Sequence, residues 1–497
     1  MLNWNNSSLF ATLVALIIIA PVFAIFYSAF LGDTSLWPHL FSTVLPRYIS
    51  NTIILMIGVG LLSSFLGIST AWVVTRYNFF GKNFFEWALL LPAAVPAYII
   101  AYTYTDFLEY AGPVQKIIRE FFNFKNAEEY WFPEIRSMEG AIFVMSFVLY
   151  PYIYMTTRAS FLTVPISFFQ TSLIYGRNTF FSVALPLARP GIIAGLALVL
   201  METVSDFGTV EYFALETLTL GVFNVWLGMN SLSGASQISS VLFVFVVVLL
   251  TIEYLARRNQ RFHEKSSGQN MIESKSSSRL HKILCFLICL TPIVIGFVIP
   301  VSVLLNFILS GFSIIDFKQI FYTSFFSITL AFTGAFFVML VSIFLILISN
   351  YKSNNLQKSI IFLASCGYAL PGTILAVGMV IFLGWINKYL HLHLSYFAGG
   401  FIVLIFAYIV RFLAVGNASI RSGILKIHPN AMDASLTMGA GFFRGVKIVI
   451  MPLILSNILI GGILVFVDIL KELPITLLLR PFNFETLATY VYQYASD

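Results

Sequence analysis

The amino-acid sequence predicts an all-α integral membrane protein made of two parallel repeats. Three observations predict it: an extreme composition, the recurrence of bilayer-length apolar stretches, and a motif of proline, glycine and acids that occurs twice. Hydrophobic residues make up 59% of the 497 residues and charged residues only 10%, which excludes an ordinary soluble domain. The basic excess, 28 Lys and Arg against 22 Asp and Glu, follows the two sides of a membrane along the chain, so it points to no nucleic-acid partner.

Apolar stretches of spanning length are read near 9–31, 51–75, 86–107, 140–162, 190–207, 237–255, 283–309, 323–349, 359–384, 397–418 and 454–473. The first is read as a retained anchor, because Met1–Ser8 has no Lys or Arg and the apolar run outlasts a signal-peptide core. Segment 106–139, at and after the end of the third span, holds Asp106, Glu109, Glu120, Glu128, Glu129, Glu134 and Glu139. After the sixth come Arg257, Arg258, Arg261, Lys265, Lys275, Arg279 and Lys282. The positive-inside rule therefore places the N-terminus in the cytoplasm and the acidic segment outside. Cys285, Cys289 and Cys366 lie in apolar spans and read as small membrane-helix residues, with no disulfide framework.

The polar, Ser-rich stretch 256–282 reads as a cytoplasmic linker between a first half, 1–255, and a second half, 283–497. Six spans in the first half return the chain to the side on which it began, so the two halves enter the membrane in the same direction. A counterpart of span 237–255 does not follow span 454–473 before Asp497, so eleven spans are present and a twelfth is expected to be lacking.

The duplicated motif begins at Leu185-Pro186-Leu187 and at Met451-Pro452-Leu453. Sixteen and twenty residues after the proline come Glu202 and Asp206 in the first copy, and Asp468 and Glu472 in the second; Gly195 and Gly461 match as well. Carboxylates in spanning segments face protein or water-filled interiors, so these four are candidate pathway residues. Hard carboxylate oxygens suit a hard metal cation. The structural alternative has Lys471 pairing with a nearby acid and the others marking where helix meets water. The match continues through Leu215-Glu216-Thr217-Leu218 and Phe484-Glu485-Thr486-Leu487.

Ahead of each motif lies a segment too polar to span and too apolar to float free. The second reads HPNAMDASLTMGAGFFRGVKIVIMPL: a short helix from Pro429, an interruption at Gly439 and Gly441, then a run with Arg444 and Lys447. Such a helix can dock into a soluble partner's groove or simply lie in the membrane interface. Asp433-Ala434-Ser435, Gly439 and Met451-Pro452 resemble the E-A-A…G…L-P signature of bacterial ABC importer permeases. The resemblance implies that Asp433, Ala434, Gly439 and Pro452 mark a coupling helix that fits a cleft on the ATP-hydrolysing subunit, and Arg444 of the amphipathic run is read as part of the same contact. In the first half Pro186 is retained, but Gly176 lies three residues too close to it. Either a turn is deleted or Gly176 is not the matching glycine, and weaker ATPase contact is expected there, readable as a weaker crosslink at Thr171 than at Ala434.

The stretch 471–489 resembles the fused two-half permeases of the ferric-iron ABC importers, and type I permease architecture is what that resemblance implies. It further implies two copies of a cytoplasmic ATPase, a periplasmic substrate-binding protein, and ferric iron passing between the halves of an inner-membrane protein, with thiamine or another small solute as the alternative cargo. No G-x-x-x-x-G-K-[ST] loop occurs, so ATP is expected to be used by the partner subunit, with no cofactor on this chain. An ion-coupled secondary transporter would share the parallel halves without needing paired coupling segments, and no nucleophile-and-base cluster suggests an enzyme. His391 and His393 read as a solvated loop, and 116–136 as either a docking surface for the binding protein or an interfacial anchor.

Overall fold

The computed structural model describes residues 4–33, 35–258, 278–311, 316–390, 400–425, 427–428 and 430–496. The readings at His391, His393, Pro429 and most of the 256–282 linker lie outside the described residues.

The chain opens on α1 (Trp4–Leu31), uncharged throughout and carrying Pro21. A short α2 (Trp37–Ser42) precedes α3 (Leu45–Arg76), on which Leu61 and Phe65 are exposed as on a lipid-facing stripe while Gly60 and Gly67 are buried. The third span is broken into α4 (Lys82–Ala88), a 3₁₀ turn at Leu91–Ala94 and α5 (Ala97–Leu108), followed by α6 (Pro113–Phe122). Pro96 lacks an N–H and forces Val95 into an extended conformation, φ −100°, ψ 128°. The two arms of this span are bent by 88°. Next come α7 (Met138–Leu162), α8 (Ile166–Ile174), α9 (Leu185–Ser205), α10 (Gly208–Tyr212), α11 (Leu218–Phe223) and α12 (Leu232–Arg258).

The second repeat starts with α13 (Arg279–Ile293), which passes through a π turn into α14 (Ile299–Ser310). Then α15 (Phe317–Lys352) is capped by Asp316, whose carboxylate accepts the N–H groups of Lys318 and Gln319 at 3.0 and 3.1 Å. The ninth span, read as continuous over 359–384, is instead α16 (Asn355–Ala364), a 3₁₀ turn at Ser365–Ala369 and α17 (Gly372–Leu390). Pro371 is the cause: it holds Leu370 extended, as Pro96 holds Val95. The chain continues with α18 (Phe401–Ile424), α19 (Asn430–Thr437), α20 (Phe442–Gly445), α21 (Met451–Lys471), α22 (Pro474–Leu479) and α23 (Leu487–Ser496). Among the described residues ten helices are long and apolar enough to cross a membrane, and the bent pair brings the number to eleven. The eleven stretches read from the sequence each have a counterpart.

Two compact units form, and they cut across the two repeats. One comprises Met1–Leu40, Gly221–Phe243 and Asp316–Asp497; the other comprises Phe41–Leu220 and Val244–Ile315. Within the first unit α1 packs on α15, α16 and α17. Its Tyr27 meets Trp385 edge-on at 4.8 Å, and the Pro21 carbonyl sits where a Cβ on Gly378 would be. Within the second unit α13 packs on α3 and α14 on α5, with the Tyr104 hydroxyl donating to the Ile295 carbonyl at 2.6 Å. Each repeat therefore contributes its leading span to a unit built mainly from the other. The sequence repeat and the packing unit are different divisions of this chain.

The matched glycines are close-approach points. A Cβ on Gly195 would lie 2.7 Å from Ile153 Cα of α7, and one on Gly461 would lie 2.8 Å from Ser419 Cβ of α18. Without a hydrophobic force between helices in lipid, contact at small residues is what holds such pairs.

Candidate functional site

The two segments ahead of the Pro motifs share one construction. In the second, α19 ends in a left-handed residue, Gly439 at φ +85°. The Gly439 N–H donates to the Leu436 carbonyl at 3.0 Å and the Ala440 N–H to the Ser435 carbonyl at 3.1 Å, the paired bonds of a Schellman cap. In the first, Gly176 has φ +64°, its N–H donates to Leu173 at 3.0 Å, and the Arg177 N–H donates to Ser172 at 2.9 Å. Gly176 and Gly439 thus do the same backbone job. A β-carbon at either would meet nothing within 4 Å, so conformation rather than space calls for glycine.

The three-residue difference in spacing falls after the glycine. Both copies run through a five-residue π turn, Phe180–Ala184 and Val446–Ile450, directly into the Pro-bearing helix. The Leu185 N–H reaches back to Phe180 and the Met451 N–H to Val446. Pro186 and Pro452, at the first turn of α9 and α21, have no N–H to continue an ordinary ladder, and the wider turn absorbs the offset. Only the second copy inserts the extra turn α20 between glycine and π turn.

Each short helix buries one face and shows the other. Met432 and Ser435 are buried, with Gly445 so close that a Cβ there would meet Ser435 Oγ at 2.5 Å. Their counterparts Phe169 and Ser172 are buried too, Phe169 beneath the Arg76 guanidinium and beside Trp72. Asp433, Ala434, Gly439, Arg444 and Pro452 are exposed, as are Gln170, Thr171 and Gly176, while Pro186 is half-buried. The exposed faces differ in chemistry. The first shows Phe168, Leu173, Ile174 and Tyr175 with Arg177 after the glycine; the second shows Asp433, Arg444 and Lys447 beside Met438 and Phe443.

At the other end of α9 and α21 the matched acids stand in unlike surroundings. Asp206 follows the last residue of α9 and accepts the Thr209 N–H at 2.8 Å and the Thr209 hydroxyl at 3.1 Å, capping α10. Glu202 lies one turn earlier, half-buried, as does Asp468 in the second copy. Glu472 is buried and sits against Arg411 of α18, Oε2 to Nε 3.2 Å. That contact is an ion pair without hydrogen-bond alignment, since Nε makes no hydrogen bond. Arg411, which the motif alone does not point to, is therefore a charged partner of Glu472. A signal for it existed: Arg411 is the lone charge in the apolar run 401–420, and a charge at membrane depth calls for a partner.

The repeat extends to a tertiary hydrogen bond. The Leu218 N–H donates to Thr52 Oγ1 of α3 at 3.0 Å, and the Leu487 N–H donates to Ser327 Oγ of α15 at 2.6 Å. Glu216 and Glu485, just before, pair with Arg47 and Arg480. Among the described residues no three His, Cys, Asp or Glu side chains are grouped as a metal site.

Residues 63–262 match the family described as binding-protein-dependent transport system inner membrane component. The chain is 24% identical to the Fe(3+)-transport system permease protein FbpB 2 of Haemophilus influenzae over 468 residues, covering 92% of this chain and 86% of the relative. It is 22% identical to the ferric transport system permease protein FbpB of Actinobacillus pleuropneumoniae, over 92% of this chain and 68% of the relative. The molybdenum transport system permease protein ModB of Haemophilus influenzae is 26% identical, but over 39% of this chain and 86% of its own length. The molybdenum permease thus aligns with part of the chain, and two ferric permeases align with nearly all of it. Residues 63–262 thus carry the domain of that transport family, and over 92% of its length this all-α, multi-pass chain is similar to a ferric-iron permease.

Proposed function

We propose that this permease carries ferric iron, delivered by its periplasmic binding protein, across the inner membrane. The supporting observation is the alignment of ferric permeases along 92% of the chain. Intramembrane carboxylates agree with a cationic cargo and would repel an oxyanion such as molybdate. Two ATPase subunits dock, one on Asp433, Ala434, Gly439, Arg444 and Pro452, the other on Gln170, Thr171, Gly176 and Pro186. The identical Schellman caps support two docking helices rather than one. ATP is used by those subunits, this chain binds no cofactor of its own, and its N-terminus is cytoplasmic, which puts both docking helices on the ATPase side. Glu202, Asp206 and Asp468 contribute negative charge along the pathway, weakly enough for the ion to leave.

Uptake by inverted and right-side-out vesicles containing the complete complex tests this. Radiolabelled ferric iron should enter right-side-out vesicles only with internal ATP and external binding protein, and a proton uncoupler should leave it unchanged. Uptake abolished by the uncoupler with ATP present would overturn the ATP-driven reading; uptake of molybdate or thiamine in place of iron would overturn the cargo.

A further inference from the structure

Arg411 stands at the middle of α18, and Glu472 at the end of α21 is its partner at 3.2 Å. They are 7% and 6% exposed. Two charges taken out of water cost far more than they return unless each finds further partners. Those partners are present. Arg411 Nη1 donates to the Leu370 carbonyl at 3.5 Å, at the break before α17, and Glu472 Oε1 accepts the Ile475 N–H at 3.2 Å, in the first turn of α22. The Thr476 hydroxyl is 2.6 Å from the Tyr408 hydroxyl, one turn before Arg411, and donates to the Glu472 carbonyl at 2.8 Å. Gly372 leaves the space: a Cβ there would be 2.7 Å from Glu472 Oε1 and 2.8 Å from Arg411 Nη1. The pair therefore ties together the α17 break, the centre of α18 and the α21–α22 turn. In the first repeat the corresponding helix α7 has no Lys or Arg from Met138 to Thr157, and Asp206 caps α10 instead.

We propose that Arg411 is a positioning residue for transport: by neutralising Glu472 it holds the α21–α22 turn against the α17 break and withdraws Glu472 from contact with the cargo. The uptake arm of the test rests on the importer reading above; the positional arm is independent of the cargo. In a chain with Cys285, Cys289 and Cys366 replaced by Ala, Ile475→Cys puts a thiol at a position that is 0% exposed, and a maleimide reports how often the turn opens. Arg411→Gln should raise the labelling rate and lower uptake, each about tenfold, because it removes the counter-charge of a buried carboxylate. The double variant Arg411→Gln with Glu472→Gln should bring both to within about threefold of the parent, since the coupling between contacting charges is removed as a unit. Arg411→Lys, keeping the charge, should fall between. An unchanged labelling rate in Arg411→Gln overturns the proposal, and so does a double variant as impaired as the single, which would mark Glu472 as a cargo ligand. Failure of the parent to take up ferric iron would sink the cargo reading and leave the labelling result to decide the lock.

Discussion

The two repeats use one backbone plan and fill it with different chemistry. Both break a span before a proline, at Val95-Pro96 and Leu370-Pro371, both cap the short exposed helix with a left-handed glycine, and both pass through a π turn into the Pro-bearing helix. Yet the first exposed segment is mainly apolar, with Arg177 at its end, while the second carries Asp433, Arg444 and Lys447, and the matched acids end as a helix cap in one copy and as half of a buried ion pair in the other. Backbone features that need glycine or proline have few substitutes, so they are kept in both copies. Side chains on a docking or pathway face can diverge once each half is committed to its own place in the complex.

The largest expected effects test the shared plan. Gly195→Leu places a branched side chain where a Cβ alone would be 2.7 Å from the Ile153 backbone, while Gly461→Leu meets a serine side chain. The first should cost about 3 kcal/mol or more and the second less, because backbone cannot move aside. Yield of folded, monodisperse complex in detergent would show it, and equal losses would contradict the close-packing account.

Next come the caps. Gly439→Val and Gly176→Val should each cost about 1–2 kcal/mol at a left-handed position and reduce ATPase copurification, with Asn tolerated better at both. A loss confined to Gly439→Val would show that only the second segment docks.

A smaller effect separates the charge of Asp206 from its capping role. Asp206→Asn keeps an acceptor for Thr209 and removes the charge; Asp206→Ala also loses a cap worth about 1 kcal/mol. If the charge serves a cation, Asn and Ala should lower the iron uptake rate alike. Normal uptake in Asp206→Asn with impaired uptake in Asp206→Ala would leave the residue with capping alone.

The smallest effect concerns the docking faces. Crosslinks from Thr171→Cys and Ala434→Cys to the ATPase should be similar in yield at low salt, and added salt should weaken the second preferentially, since exposed ion pairs contribute about 0.2–1 kcal/mol and are screened. A weak Thr171 crosslink at low salt would favour the inference of poorer first-half contact drawn from its shortened spacing.

Legibility followed physical range. Spanning helices were readable because lipid leaves the backbone few alternatives to a helix of about twenty apolar residues. The duplicated acids, glycines and prolines were readable as spacing. The breaks at Pro96 and Pro371 were missed because the flanking residues are as apolar as a span, so hydropathy runs through them and only the prolines object. The equivalence of Gly176 and Gly439 was hidden because a count to the next proline cannot say on which side of the glycine the extra turn lies. The motif suggests only that Lys471 pairs with some nearby acid, whereas the charge that meets Glu472 is Arg411, 61 positions earlier.

By itself the sequence determined the class, the number of apolar stretches and the duplication, since these depend on composition and on intervals along one strand of chain. Only the tertiary structure decided which leading span joins which unit, because α1 is apolar all round and carries no mark of its partner. It also decided which acid is neutralised: a buried charge is settled by whatever counter-charge the fold brings within a few ångströms, and that proximity is not written in the order of residues.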